Sequence, residues 1–337
     1  MATQSRPAAT RYDTASGVQL YRISVHVFPH MLGNAYLVFA DGYSALIDCG
    51  SGLGTSDEEL DAGVRAVAAE RGERVWETLD RIVVTHGHID HHGGLNFVRR
   101  HSDAPIAIHE LDRRILTGYE ERQVMARRAL AAYLTFAGVA AAEMDELLAL
   151  YGWSKTAFSS LPVQTTLRHG DRLDGLFDVL HTSGHCPGQV CLRVDDILLS
   201  ADHVLPQTSL FLSPERIASW NGMDHYLASL DQIAGLGGIR LALGGHGAPM
   251  DDFAGWVAKL RDAQQTRIAQ ALAACAAQRS VADVARLVYP ELRGYDWLLA
   301  IQKAGACVEY LDNRGELAVA NLDAVASQGA APLFVAL

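Results

Sequence analysis

The run Thr85-His86-Gly87-His88-Ile89-Asp90-His91-His92-Gly93-Gly94 constrains this 337-residue chain more than any other stretch. It follows the apolar segment 81–85, and within it His86, His88, Asp90 and His91 crowd imidazole and carboxylate groups together. Residues two apart in an extended turn point to the same side, so His86 and His88 can reach one cation together. Gly93 and Gly94 let backbone pack closely behind them. A lone histidine is usually a satisfied polar residue, and a His-x-His pair is a weak signal. Four such groups at the end of a buried strand are hard to explain by packing, and the donor set suits zinc, iron or manganese.

The same local pattern recurs downstream. His185 sits in Thr182-Ser183-Gly184-His185-Cys186-Pro187-Gly188, Asp202 in Ser200-Ala201-Asp202-His203, and His246 in Gly244-Gly245-His246-Gly247. Each follows an apolar run and lies among small residues, as expected where a β scaffold presents loops to one site. Taken singly, each reads equally well as a turn residue; together they make a seven-member ligand set. His92, His181 and His203 adjoin these positions and read as packing or supporting residues.

Periodicity places strands at 35–39, 44–48, 81–85, 105–109, 177–182, 190–194, 197–200 and 240–243, each bounded by Gly, Asp or His. Asp195-Asp196 predicts a hairpin turn. Helical spacing marks 56–71, 113–134, 141–151 and 224–234. From 256 the character turns helical: 256–278, then 281–288 behind a Ser280 N-cap with Asp283 in its first turn, then 294 to about 310. A turn at 312–315 leads into a strand at 317–319. The last three helices with a short hairpin read as a small independent module.

In that ligand set, order and context the chain resembles the metallo-β-lactamase superfamily, over roughly residues 20–250. The resemblance implies an α+β fold, a four-layer αββα sandwich, with an N-terminal arm at 1–19 and a catalytic domain at 20–255. A helical cap insertion falls at about 110–160, and 256–337 resembles the winged-helix-like extension of some cytosolic members, where it serves packing or dimerisation. By the same resemblance His86, His88 and His185 bind a first metal, Asp90, His91 and His246 a second, and Asp202 bridges both. Asp48, in Leu46-Ile47-Asp48-Cys49-Gly50, matches a position whose carboxylate orients a ligand histidine from behind. A plain strand-end turn is the other reading of Asp48.

Such a site implies two divalent metal ions, zinc before iron or manganese, and a metal-bridging hydroxide as nucleophile. Two cations, two aspartates and one hydroxide leave a core charge of roughly +1, suited to a developing oxyanion. Asp90 is the candidate catalytic residue, steering the hydroxide and passing a proton to the leaving group. A Cys186–His185 nucleophilic pair would leave the other five ligands unexplained.

The expected function is cleavage of an ester-like bond in a small molecule, with a thioester or lactone favoured. Phosphodiester cleavage, including RNA, and a non-catalytic metal-binding regulatory role are the alternatives. A flavin-dependent reaction would need a flavodoxin domain, for which 256–337 is too short and too helical. The net charge of −11 argues against a nucleic-acid partner. The start of the chain lacks an apolar signal core, which also counts against an exported β-lactam hydrolase, and no run is long enough to span a bilayer. The five cysteines are odd in number and lack Cys-x-x-Cys spacing, so they read as reduced thiols in a cytoplasmic protein. A homodimer is a further expectation. Substrate contacts are left open: the aromatics of 110–160 serve either a pocket or the cap's own packing. Arg113, Arg114, Arg122, Arg127 and Arg128 read as a solvated face, and 205–221, with Phe211 and Trp220, is a second candidate wall.

Overall fold

The computed structural model describes residues 8–153, 155, 158–206 and 210–337. One sheet takes its strands in chain order: β1 (Thr10–Asp13), β2 (Gln19–Phe28), β3 (Met31–Ala40), β4 (Tyr43–Ile47), β5 (Arg81–Val84), β6 (Ile106–His109) and β7 (Thr165–Leu167). Its first four strands are antiparallel, while β4 to β7 run parallel. A second sheet holds β8 (Arg172–Leu173), β9 (Phe177–His181), β10 (Val190–Val194), β11 (Ile197–Ala201) and β12 (Leu241–Gly244), in the spatial order β12-β11-β10-β9-β8. The hairpin between β10 and β11 forms, with Asp195 in the left-handed region as its turn requires. β11 and β12 pair in parallel.

The central strands are apolar on both faces because both faces are covered. Along β3, Leu37 and Phe39 point to an outer cluster with Ile82, Val84, Leu60 and Val64. Tyr36 and Val38 point the other way, into a cluster with Phe177, Val179, Leu192 and Leu199 of the second sheet. Helices α1 (Ser56–Arg71), α2 (Val75–Thr78), α3 (Ile89–His92) and α4 (Leu95–Val98) lie along the first sheet. The second sheet is covered by α8 (Met223–Ala234), whose Tyr226, Leu230 and Ile233 are buried against Cys191, Leu198 and Ala242. The result is the four-layer αββα sandwich.

The cap comprises α5 (Arg113–Thr117), α6 (Tyr119–Phe136) and α7 (Ala141–Trp153). The single helix expected at 113–134 is broken at Gly118, which leaves helical φ/ψ and lets the chain turn. Tyr119, Tyr133 and Phe158 are buried packing residues, and all five cap arginines face solvent. Ser154, Thr156 and Ala157 lie outside the described residues.

The C-terminal helices are α9 (Phe253–Ala274), α10 (Val281–Val288) and α11 (Gly294–Asn313), followed by β13 (Leu317–Val319), α12 (Leu322–Gln328) and β14 (Phe334–Ala336). Ser280 and Asp283 form a reciprocal capping box at the start of α10. One expectation is corrected. The strand pair β13–β14 is not a simple hairpin, because α12 lies between its strands. Leu298, Ile301 and Val308 of α11 share one apolar cluster with Leu130 and Leu134 of α6, Leu147 of α7 and Leu230 of α8. Among the described residues no helix is long and apolar enough to cross a membrane. The five cysteines are buried free thiols.

Candidate metal centre

Asp48 follows β4, His86 follows β5, and His185, Asp202 and His246 follow β9, β11 and β12. Every group singled out in the sequence thus sits just past a strand's C-terminal end or, for Asp90 and His91, on the single turn of α3. Two backbone bonds join the sheets at this edge. Val190 N–H donates to the Thr85 carbonyl at 3.0 Å, and Asn34 N–H to the Gly245 carbonyl at 2.7 Å. The chain turns sharply at Asp48 and at Ala201, both with φ in the left-handed region. That costs little for Asp but is strained for Ala, and it swings the following Asp202 toward the site. Gly245 is required by space, since a Cβ there would overlap Asp202 Oδ1 and lie 2.6 Å from His91 Cε1.

The seven side chains converge as two groups. His86, His88 and His185 bring one donor atom each within 4.8 Å of one another, and so do Asp90, His91, Asp202 and His246. Asp202 stands between the groups. Its Oδ2 is 3.7 Å from His185 Nε2 and 3.3 Å from His246 Nε2, and its Oδ1 is 3.4 Å from His91 Nε2. Asp90 Oδ2 is 3.2 Å from His246 Nε2 and 3.6 Å from His91 Nε2.

These separations bear on what the groups can hold. A direct charge-assisted bond is near 2.8 Å, as between His91 Nδ1 and Asp48 Oδ2 at 2.7 Å. A tetrahedral cation with bonds of about 2.0–2.1 Å sets neighbouring ligand atoms about 3.3 Å apart. Most inward-facing pairs match the second spacing. The Nε2 atoms of His91, His185 and His246, with Asp202 Oδ1, are buried and lack hydrogen-bond partners. Orphaned buried acceptors are costly, and four converging ones fit a divalent cation well.

Four of the five rings are fixed from behind, which leaves the other nitrogen aimed inward. His185 Nδ1 donates to the Phe211 carbonyl at 2.7 Å and His246 Nδ1 to the Leu32 carbonyl at 2.6 Å. Thr85 Oγ1 is 3.1 Å from His86 Nδ1. Asp48 is itself held by Thr85, through its N–H and its hydroxyl, at 2.8 Å each.

The electrostatics separate the two groups. Burial pushes His86, His88 and His185 below the ordinary imidazole range, so they present neutral lone pairs. Burial also opposes charge on His91 and His246, but the surrounding carboxylates outweigh it: chiefly Asp202 and Asp48 for His91, and Asp202 and Asp90 for His246. His246 is pushed up to about 10. Burial likewise works against the carboxylates of Asp90 and Asp202, which the two histidines nonetheless hold low. The second group therefore demands positive charge, which a divalent cation supplies.

One buried group has no counterpart in the sequence reading. Asp112, at the N-terminus of α5, accepts Gly87 N–H at 2.8 Å and Gly188 N–H at 2.9 Å, with the Cys186 thiol at 3.3 Å. It ties the loop of His86 and His88 to the loop of His185. Burial pushes its carboxyl up to about 6, against the pull of those three donors. An aspartate at the start of a helix was the available signal, and it reads as an ordinary cap. Of the other histidines, His92 packs on Tyr119 and Phe158, His203 on Tyr226, and His181 stacks on His109 at 4.1 Å. Phe211 lies 6.4 Å from both the His88 and His185 rings, while Trp220 is exposed. Residues 207–209 of that second wall lie outside the described residues.

The model of the Metallo-beta-lactamase superfamily matches residues 29–265. A metallo-beta-lactamase family protein from Thermus thermophilus is similar in structure (TM-score 0.76, 22% identity, 94% of this chain and 98% of that one). So is a beta-lactamase domain protein from Burkholderia ambifaria (TM-score 0.75, 22% identity, 100% and 96%). A subclass B3 metallo-beta-lactamase of Bradyrhizobium japonicum is more distant (TM-score 0.50, 18% identity, 78% and 94%). No curated protein sequence matches the chain.

Proposed function

The chain belongs to the metallo-beta-lactamase superfamily, and from that premise we propose that it is a hydrolase working with two divalent metal ions on an ester-like bond of a small molecule. The observation that carries this reading is the pair of donor groups sharing Asp202, with donor atoms spaced for cations rather than for hydrogen bonds. His86, His88 and His185 would hold one ion, Asp90, His91 and His246 the other, and Asp202 both. Zinc suits the three neutral imidazoles; iron and manganese suit the carboxylate-containing group equally well. Ions bound there supply Lewis-acid polarisation of the substrate oxygen and ionisation of water near neutral pH.

The chain's own residues do the rest. Asp90 Oδ2 lies 3.2 Å from His246 Nε2, a carboxylate placed to orient the attacking water and to pass its proton to the leaving group. Asp48, Leu32 and Phe211 keep the histidines from rotating as charge moves. The Phe211 ring beside His88 and His185 offers an apolar surface for the acyl part of a thioester or lactone. A reducing, cytoplasmic compartment suits five buried free thiols.

The test is a hydrolysis screen across acyl thioesters, lactones, aryl esters and phosphodiesters, run with metal-loaded and chelator-stripped protein. Turnover of a carboxylic ester or thioester that disappears on chelation and returns with metal is expected. Turnover confined to phosphodiesters would reject the ester reading.

A further inference from the structure

The helices from 253 onward contribute none of the seven ligands, yet one of their carboxylates reaches the loop behind His185. On α11, Glu309 accepts the N–H of Glu215 at 2.7 Å through Oε2 and the N–H of Arg216 at 3.1 Å through Oε1. One turn earlier, Gly305 packs so closely that a Cβ would overlap the Tyr133 hydroxyl and come within 3.0 Å of Pro214. The Arg216 guanidinium then lies 4.1 Å from the centre of the Phe136 ring on α6. Loop 210–222 is thus clamped between α11 and the cap.

That loop holds His185 from two sides. The Phe211 carbonyl accepts from His185 Nδ1. Gly222 N–H donates to the carbonyl of Gly184 at 2.9 Å, and Gly184 also bridges to Asn221. Gly184 is pressed against the Tyr226 backbone with φ +120, a conformation closed to other residues. Asn221 Nδ2 donates to Ser213 Oγ at 2.7 Å and closes the loop on itself. The other histidines are oriented from within the sandwich: His91 by Asp48, His246 by Leu32 and His86 by Thr85.

We propose that Glu309 is a positioning residue for the metal centre. Through the amides of Glu215 and Arg216 it fixes the loop whose Phe211 carbonyl aims His185, and so braces the ion site of His86, His88 and His185. Burial raises the Glu309 carboxyl, and the two amides counter this only in part. The inference rests on the two-metal reading above.

The test uses the full chain, loaded with zinc and titrated with a competing chelator, and in parallel loaded with cobalt(II) to read each site by its visible absorption. In Glu309→Ala one ion is expected to bind about tenfold more weakly, the low end of the effect of losing a group bonded directly to a ligand, because Glu309 acts through the loop. The other should stay within about twofold. The isosteric Glu309→Gln keeps one acceptor and should fall between, which decides the matter if the alanine variant folds poorly. Both variants holding both ions as tightly as the parent, with only a lower Tm, would overturn the proposal. A parent chain that binds no ion would instead overturn the two-metal reading itself.

Discussion

His91 Nδ1 lies 2.7 Å from the Asp48 carboxylate, while its Nε2 stands 3.4 Å from Asp202 and 3.6 Å from Asp90. One ring thus makes a close charge-assisted bond on one side and faces two carboxylates at ligand spacing on the other. The imidazole donates to Asp48 through Nδ1, which leaves Nε2 as the nitrogen a cation would take in place of a proton.

Replacing that carboxylate should therefore act first on one ion. Asp48→Ala is expected to weaken the ion held by His91, His246 and Asp90 about ten- to a hundredfold, and to loosen the other by less, through Thr85 and His86. Metal content after dialysis against a graded chelator checks this. Unchanged content would place the ring's orientation elsewhere.

Asp112→Asn should weaken the opposite group. An amide turns N–H toward a bound N–H or thiol, leaving a buried donor unmet at a cost of about 1–3 kcal/mol. A Tm lower by several degrees is expected, together with looser binding at His86, His88 and His185, by melting and metal titration.

Gly245→Ala tests the space behind the bridge. Its Cβ cannot fit beside Asp202 and His91, so the variant should lose metal and activity while its circular dichroism stays that of the parent. An alanine variant that keeps two ions would show that the loop carrying His246 yields more freely than its bonds from Asn34 imply.

The pH dependence of stability has a term outside the site. Burial pushes His109 down to about 4, so the folded chain keeps it neutral while the unfolded chain takes up a proton below about 6.5. For a base with a lowered folded value, stability is present above 6.5 and is lost as pH falls from 6.5 toward 4. Between pH 7 and 5 this amounts to on the order of 1–2 kcal/mol. His109→Gln should lose less stability over that interval than the parent, by urea melts of metal-stripped protein; equal losses would count against it.

The sequence made the centre legible because its chemistry is local. His86, His88, Asp90 and His91 share one turn, and His185, Asp202 and His246 each follow a strand and sit among small residues. The supports were not legible, since they are long-range and partly backbone. Nothing about Leu32 or Phe211 marks their carbonyls as partners of His246 and His185. Asp112 and Glu309 act on amides, a use that leaves no pattern in side chains. The central strands of the sandwich read correctly, because cover on both faces makes each a short apolar run, whereas β1, β2, β7 and β8 were missed. The break at Gly118 and the helix between β13 and β14 were missed, the latter because α12 buries no side chain and so shows no apolar stripe.

Elemental analysis of Asp202→Asn beside the parent, both purified without added metal, bears most directly on the central claim. Two ions per parent chain are expected. The variant should keep its fold, hold its ions loosely, and turn over substrate orders of magnitude more slowly. A folded, metal-free parent chain that hydrolyses the same substrate in the presence of chelator would contradict the account.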